Sequence, residues 1–199
     1  MRLVAATRNR GKIREISEAL SGLGVELIPL DELPDPPEIE EKRETYEENA
    51  AHKALIAARH SGLPAVADDS GLEVEALGGA PGVRSARFAA SDAERIAKLL
   101  KLLKGVPFER RRARFVCVVA FATPDGQVEL FRGECHGYIT EEPRGEEGFG
   151  YDPVFLVPEY GKTFAELGLE VKNRISHRAR ALRKLRGFLE RRLSDEGSR

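Results

Sequence analysis

The run from Ala113 to Ala122 limits most strongly what this chain can fold into. Apolar, β-branched and aromatic side chains in near-continuous succession make a strand that must be covered. Thr123-Pro124-Asp125-Gly126 follows, with proline and glycine placed where a turn uses their backbone preferences, so residues 127–137 are expected to return as the hairpin partner. Residues 2–6 read as a short buried strand, followed by a polar turn from Thr7 to Gly11 and a helical face carrying Ile13, Ile16, Leu20 and Leu23. A second strand is expected at 25–30, and Pro34-Asp35-Pro36-Pro37 interrupts regular structure before the acidic segment Glu38 to Glu44.

Thr45 and Glu48 have capping-box spacing, which starts a helix that runs to Gly62; Ser91 and Glu94 repeat the signal for a helix ending at Gly105. Between them lie a short strand at 65–68, an alternation of Leu72, Val74 and Ala76, and a glycine-rich turn at 78–82. A strand at 153–157 and a last amphipathic helix with Leu182, Leu185, Leu189 and Leu193 complete an α/β pattern. No linker divides it, so residues 1–199 are read as a single domain with a short charged tail at about 194–199.

The chain has 32 basic and 33 acidic side chains, a formal charge of -1, which argues against a general polyanion binder and hence against nucleic acid as the partner. Cys117 and Cys135 have no pairing motif and the four histidines are dispersed, so no zinc site or disulfide framework is indicated. With no signal segment and no membrane-length apolar run, the expectation is a soluble, cytoplasmic protein.

Several clusters carry possible chemistry. Thr7, Arg8, Asn9, Arg10, Gly11 and Lys12 lie between a strand and a helix start, where free N–H groups and the helix dipole favour an anion; the spacing is not that of a P-loop. Asp68 and Asp69 are adjacent carboxylates that repel unless cations offset them, as a divalent metal sharing an acid from Glu38 to Glu41 would do. The run from Arg110 to Arg114 reads as a solvated strand edge more readily than as an RNA site. Ser176 is a candidate cap for the last helix, and His177 and Arg178 in its first turn oppose the helix dipole, a misfit that favours a functional role. Phe149 stands between Gly148 and Gly150, and a ring there can stack on a base, while Tyr151 either lines the same pocket or packs beneath it.

The motifs Thr7-x-Asn9-x-x-Lys12, Glu48-Asn49-Ala50, Asp68-Asp69-Ser70-Gly71, Gly78-Gly79-Ala80-Pro81-Gly82, Phe149-Gly150-Tyr151-Asp152-Pro153 and Ser176-His177-Arg178 occur in this order. Together they resemble the inosine triphosphate pyrophosphatase family, the XTP/dITP diphosphatases. The resemblance implies hydrolysis of ITP, dITP and XTP to monophosphate and pyrophosphate, Mg²⁺, and a homodimer. It also implies an elongated mixed sheet with helices around two lobes and a cleft between them. By motif it makes Asp69 the general base and a metal ligand, with Glu40, then Glu41, as the second acid, although the family's Glu-Thr-Gly pattern is missing here. Thr7 to Lys12, Ser70, Phe149 to Asp152, Lys172, His177 and Arg178 would contact the nucleotide. Three other readings stand beside it: a nucleotide sensor without turnover, a pyrophosphatase for other modified nucleotides, and RNA binding through Arg110 to Arg114.

Overall fold

The computed structural model of the protein describes residues 1–197. The chain alternates strands and helices in the order β1 (Arg2–Ala5), α1 (Arg10–Ala19), β2 (Glu26–Pro29), α2 (Tyr46–Ser61), β3 (Ala65–Val74), β4 (Pro81–Gly82), α3 (Asp92–Leu102), β5 (Arg112–Ala122), β6 (Val128–Ile139), β7 (Phe155–Val157), β8 (Lys162–Thr163), α4 (Phe164–Ile175) and α5 (His177–Gly197). The strands join one mixed sheet in the order β2-β1-β3-β5-β6-β7-β8, with β4 beside β3. β1 pairs in parallel with β2 and β3, whereas β4, β7 and β8 pair antiparallel with their neighbours. The α/β mixed sheet with helices expected from the sequence is the fold found.

Two compact units divide the chain: residues 1–69, 117–133 and 178 onward, and residues 70–116 and 134–177. In the first, Ile16 of α1, the Leu20 that follows that helix, and Leu182, Leu185 and Leu189 of α5 pack with Leu3, Val66, Cys117, Val119 and Phe121. In the second, Leu72, Val74, Leu99, Leu103, Phe115, Ile139, Phe155 and Phe164 form the core. No described helix is long and apolar enough to cross a membrane.

The local signals act where the sequence places them. Thr45 accepts from the N–H of Glu48 and completes the capping box of α2, which stops at Gly62 in the left-handed region (φ 69). Ser91 likewise caps α3 through the N–H of Glu94. Several expectations need correction. The strand at 65–68 continues to Val74, so the aspartate pair lies inside β3 and not at its end, and the alternation stops before Ala76, which falls in a 3-10 turn. α1 ends at Ala19, short of Leu23. α4 has no counterpart in the sequence reading because Gly168 (φ 77, ψ 165) breaks its helical periodicity. Residues 194–197 of the expected tail belong to α5, and Ser198 and Arg199 lie outside the described residues.

The basic run is not uniformly a solvated edge. Arg111 is buried, and its guanidinium donates to the carbonyls of Val106, Thr140 and Leu103 at 2.9–3.0 Å. Arg114 reaches Glu73 at 2.7 Å and Glu134 at 3.4 Å, while Arg110 and Arg112 are exposed. Arg111→Met should therefore destabilise the protein by about 2–4 kcal/mol, because three carbonyls, two of them in buried contacts, lose a charged donor. Arg110→Met should change stability by no more than ~0.5 kcal/mol. Urea unfolding of both variants checks this, and equal midpoints would contradict it.

Candidate active site

In the first unit the acidic pair of β3 is surrounded by cations from three helices. Asp68 is buried; its Oδ1 lies 3.0 Å from Lys12 Nζ on α1, and its Oδ2 lies 3.1 Å from Arg178 Nε on α5. Arg178 also holds Glu15 at 2.7 Å. Burial alone would raise the Asp68 carboxyl, but Lys12, Arg178 and Lys53 together hold it far below the usual carboxylate range. Burial likewise opposes the Arg178 charge, and Asp68 and Glu15 more than reverse that effect. Asp68 is thus a locked carboxylate joining α1, β3 and α5.

Successive side chains of a strand point to opposite faces, so Asp69 meets a different environment. Its Oδ2 accepts from Asn49 Nδ2 of α2 at 2.9 Å. Burial is the largest influence on its carboxyl and Glu41 adds to it; Lys53 and the Asn49 hydrogen bond oppose them, and the net result lies at about 6. Lys53, one turn along α2 from Asn49, donates to the backbone carbonyl of Asp68 at 2.6 Å and to Glu41 Oε1 at 2.5 Å. Burial disfavours the Lys53 ammonium, yet Asp68 and Glu41 raise its pKa overall. A carboxylate titrating near neutrality, beside a fixed ammonium and a second carboxylate, suits proton abstraction from water next to an anionic ligand.

Lys53 and Asn49 are the residues that sequence reasoning did not assign. Asn49 stood within a quoted motif, and the i, i+4 spacing of Asn49 and Lys53 on one helix face was the available signal. The two acidic-loop candidates also separate. Glu40 is exposed and paired with Lys42 at 2.9 Å, whereas Glu41 turns to Lys53 and is close enough to Asp69 to raise its pKa. Of the two, Glu41 is the one in the electrostatic environment of Asp69.

The segment Thr7 to Lys12 has fewer open donors than expected. Asn9 is the N-cap of α1, its side chain accepting from the N–H groups of Gly11 and Lys12 at 2.9 and 3.2 Å, and its own N–H donates to Thr7 Oγ1 at 3.1 Å. The positive charges of this segment remain: Arg8 and Arg10 are exposed, with Arg10 near Asp31 at 3.5 Å, and Lys12 is on Asp68. Arg178, expected to touch a nucleotide, is committed to Asp68 and Glu15, which removes the dipole argument for it.

In the second unit the residues from 148 to 152 form a turn around Phe149, a residue that is 41% exposed. Lys172, buried on α4, lies 4.3 Å from the ring centroid and 2.6 Å from Asp152 Oδ2, and Asp152 also accepts from the N–H of Phe149 at 3.0 Å. Gly148 is required by this packing: a Cβ there would sit 2.1 Å from Asp152 Oδ2. Gly150 adopts φ +63, in the left-handed region. The glycines therefore serve the turn and the Asp152 carboxylate, and close approach of a base is not needed to explain them. Tyr151 packs beneath: it is buried, its hydroxyl donates to the Ser85 carbonyl at 2.8 Å, and burial raises its pKa to about 12. His177 stacks on Phe115 at 4.7 Å with the rings 11° apart, and Ser70 is half-buried on β3.

Known proteins are similar to this chain in sequence and fold over almost its full length. A family model described as the Ham1 family matches residues 3–188. The dITP/XTP pyrophosphatase of Geobacter sulfurreducens is 55% identical over 191 residues, covering 94% of this chain and 96% of the relative. That of Thermus thermophilus is 53% identical over 189 residues, with 93% and 90% covered. Among solved structures, a HAM1 protein from Coxiella burnetii aligns with a TM-score of 0.89 at 45% identity, over 95% of this chain and 98% of that one.

The environments of Asp68 and Asp69 make opposite predictions for stability. Asp68→Asn leaves Lys12 and Arg178 without their buried carboxylate and should cost about 3–5 kcal/mol at pH 7. Asp69 is raised on folding, so between its unfolded value, roughly 4, and about 6 the folded state holds a proton that the unfolded state has released. In metal-free buffer, stability should thus fall as pH rises through that window, and Asp69→Asn should flatten the slope without loss of stability at pH 7. Denaturant midpoints measured across pH check both statements.

Proposed function

The chain belongs to the Ham1 family, and from that premise we propose that it hydrolyses the non-standard purine nucleoside triphosphates ITP, dITP and XTP to the monophosphate and pyrophosphate. The observation that carries the reading is Asp69: a buried carboxylate raised to about 6 by its surroundings, oriented by Asn49 and set beside Lys53 and Glu41. The protein acts on free nucleotides in the cytoplasm, as a homodimer, and not on nucleic acid or at a membrane.

Asp69 takes a proton from water as the water oxygen bonds to the α-phosphorus and the bond from that phosphorus to the pyrophosphate oxygen breaks. Lys53 and Lys12 stabilise the negative charge of the phosphates, helped by the exposed Arg8 and Arg10. Phe149 stacks on the base by the ring face that Lys172 does not cover. The 6-keto oxygen of hypoxanthine and xanthine is an acceptor where adenine carries a donor. N–H groups at the start of α5 and His177 donate to the keto oxygen, a bond that the adenine amino group cannot accept.

Divalent-metal chemistry fits the donor set. Glu41 and Asp69 are two carboxylates in one electrostatic environment, and Mg²⁺ is held by one or two carboxylates together with phosphate oxygens and water. When bound, Mg²⁺ supplies charge neutralisation for the phosphates. Glu41 is placed ahead of Glu40 because Glu40 pairs with Lys42 in solvent.

The test is pyrophosphate release with Mg²⁺ across ITP, dITP, XTP, GTP, ATP and dTTP. Release from the first three far above the others is expected, and release from none would overturn the reading. Asp69→Asn should lower kcat roughly 10²–10⁴-fold, the range of a lost general base, while the protein stays folded. Phe149→Ala should raise KM for ITP about tenfold, as expected for one lost stacking contact.

A further inference from the structure

A ring stacks reproducibly only if its Cα–Cβ bond points in a fixed direction, and the two peptide planes flanking the Cα set that direction. Both planes beside Phe149 are pinned by carboxylates. The N–H of Phe149 donates to Asp152 Oδ2 at 3.0 Å, inside the turn itself. The N–H of Gly150 donates to Asp92 Oδ2 at 2.8 Å, and Asp92 lies on another element, the first turn of α3. Asp92 is in turn held by Arg95, whose Nη1 lies 2.6 Å from its other carboxylate oxygen and whose Nε donates to the Ala89 carbonyl at 3.1 Å. The pair also influences Tyr151 electrostatically, so it borders the same turn.

α3 does not require this bond. Ser91 caps it through the N–H of Glu94, and Glu94 returns a bond to the N–H of Ala90 at 3.2 Å. An acid in a first turn adds dipole stabilisation from whichever side chain supplies it, and Glu94 supplies it without touching the aromatic turn. Asp92 differs from Glu94 in aiming one oxygen at an amide 58 residues away in sequence.

We infer that Asp92 is a positioning residue for the nucleotide base: by holding the Gly150 amide it fixes the direction in which the Phe149 side chain leaves the turn. This rests on the reading of Phe149 as the stacking platform. Asp92 itself touches no substrate, and its effect passes through the ring.

The test is steady-state hydrolysis of ITP with a double-mutant cycle. Asp92→Ala should raise KM roughly five- to tenfold, the equivalent of one charge-assisted hydrogen bond, with kcat within about twofold. Asp92→Asn, which keeps an acceptor for the Gly150 N–H, should restore KM to within about twofold of the parent. Glu94→Gln should lower the melting temperature by removing a first-turn acid while leaving KM unchanged, which separates loss of helix stability from loss of positioning. In a Phe149→Ala background, Asp92→Ala should add nothing further to KM. An unchanged KM in Asp92→Ala, or an equal rise in the Phe149→Ala background, overturns the inference while leaving Phe149 in place. A Phe149→Ala variant with the parent KM overturns the stacking role itself, and the inference with it.

Discussion

A buried carboxylate between two cations organises the first unit. Asp68 sits inside β3, and its partners Lys12 and Arg178 come from α1 and α5, the helices that cover that part of the sheet. None of the three charges would be tolerated there alone, since an unpaired buried ion costs several kcal/mol. Their mutual satisfaction, extended by Glu15 and by Lys53 on the Asp68 carbonyl, fixes the directions of side chains on three helices at once. Asp69 inherits that fixed setting because it is the next residue of the same strand.

Adjacent carboxylates then acquire different chemistry from strand geometry alone. The pleat turns one toward strong cations, which keep it ionised, and the other toward Asn49 and a mostly dehydrating environment, which lifts it toward neutrality. Pairs of titratable groups pushed apart in this way mark acid and base assignments. The second unit contains a buried ion pair of its own. The buried Lys172 and Asp152 form a 2.6 Å pair, and the exposed ring of Phe149 lies over the ammonium.

Much of this was legible in the sequence, for physical reasons that differ by element. Capping boxes are local, so the starts of α2 and α3 could be read from Thr45-x-x-Glu48 and Ser91-x-x-Glu94. The hairpin of β5 and β6 announced itself by an apolar run ending in a proline-glycine turn. The aspartate pair was visible as a conflict of charge, but not its resolution, because Lys12 and Arg178 are far away in sequence and only the fold brings them to Asp68. Lys53 escaped notice for a related reason: on an alanine-rich helix a lysine is usually solvated, and its burial depends on Glu41 and β3. Arg111 was hidden within a run of arginines that read as a solvated edge, and α4 behind the break at Gly168.

The account depends on Asp68 and Asp69 having separate tasks, one holding the structure and the other moving a proton. Carboxyl-carbon NMR of the metal-free protein, titrated with each aspartate assigned, reads this directly. The Asp69 resonance should move with a midpoint near pH 6, and Asp68 should stay ionised down to the acid limit of the folded state. Both resonances titrating together near the ordinary value, roughly 4, would contradict the account.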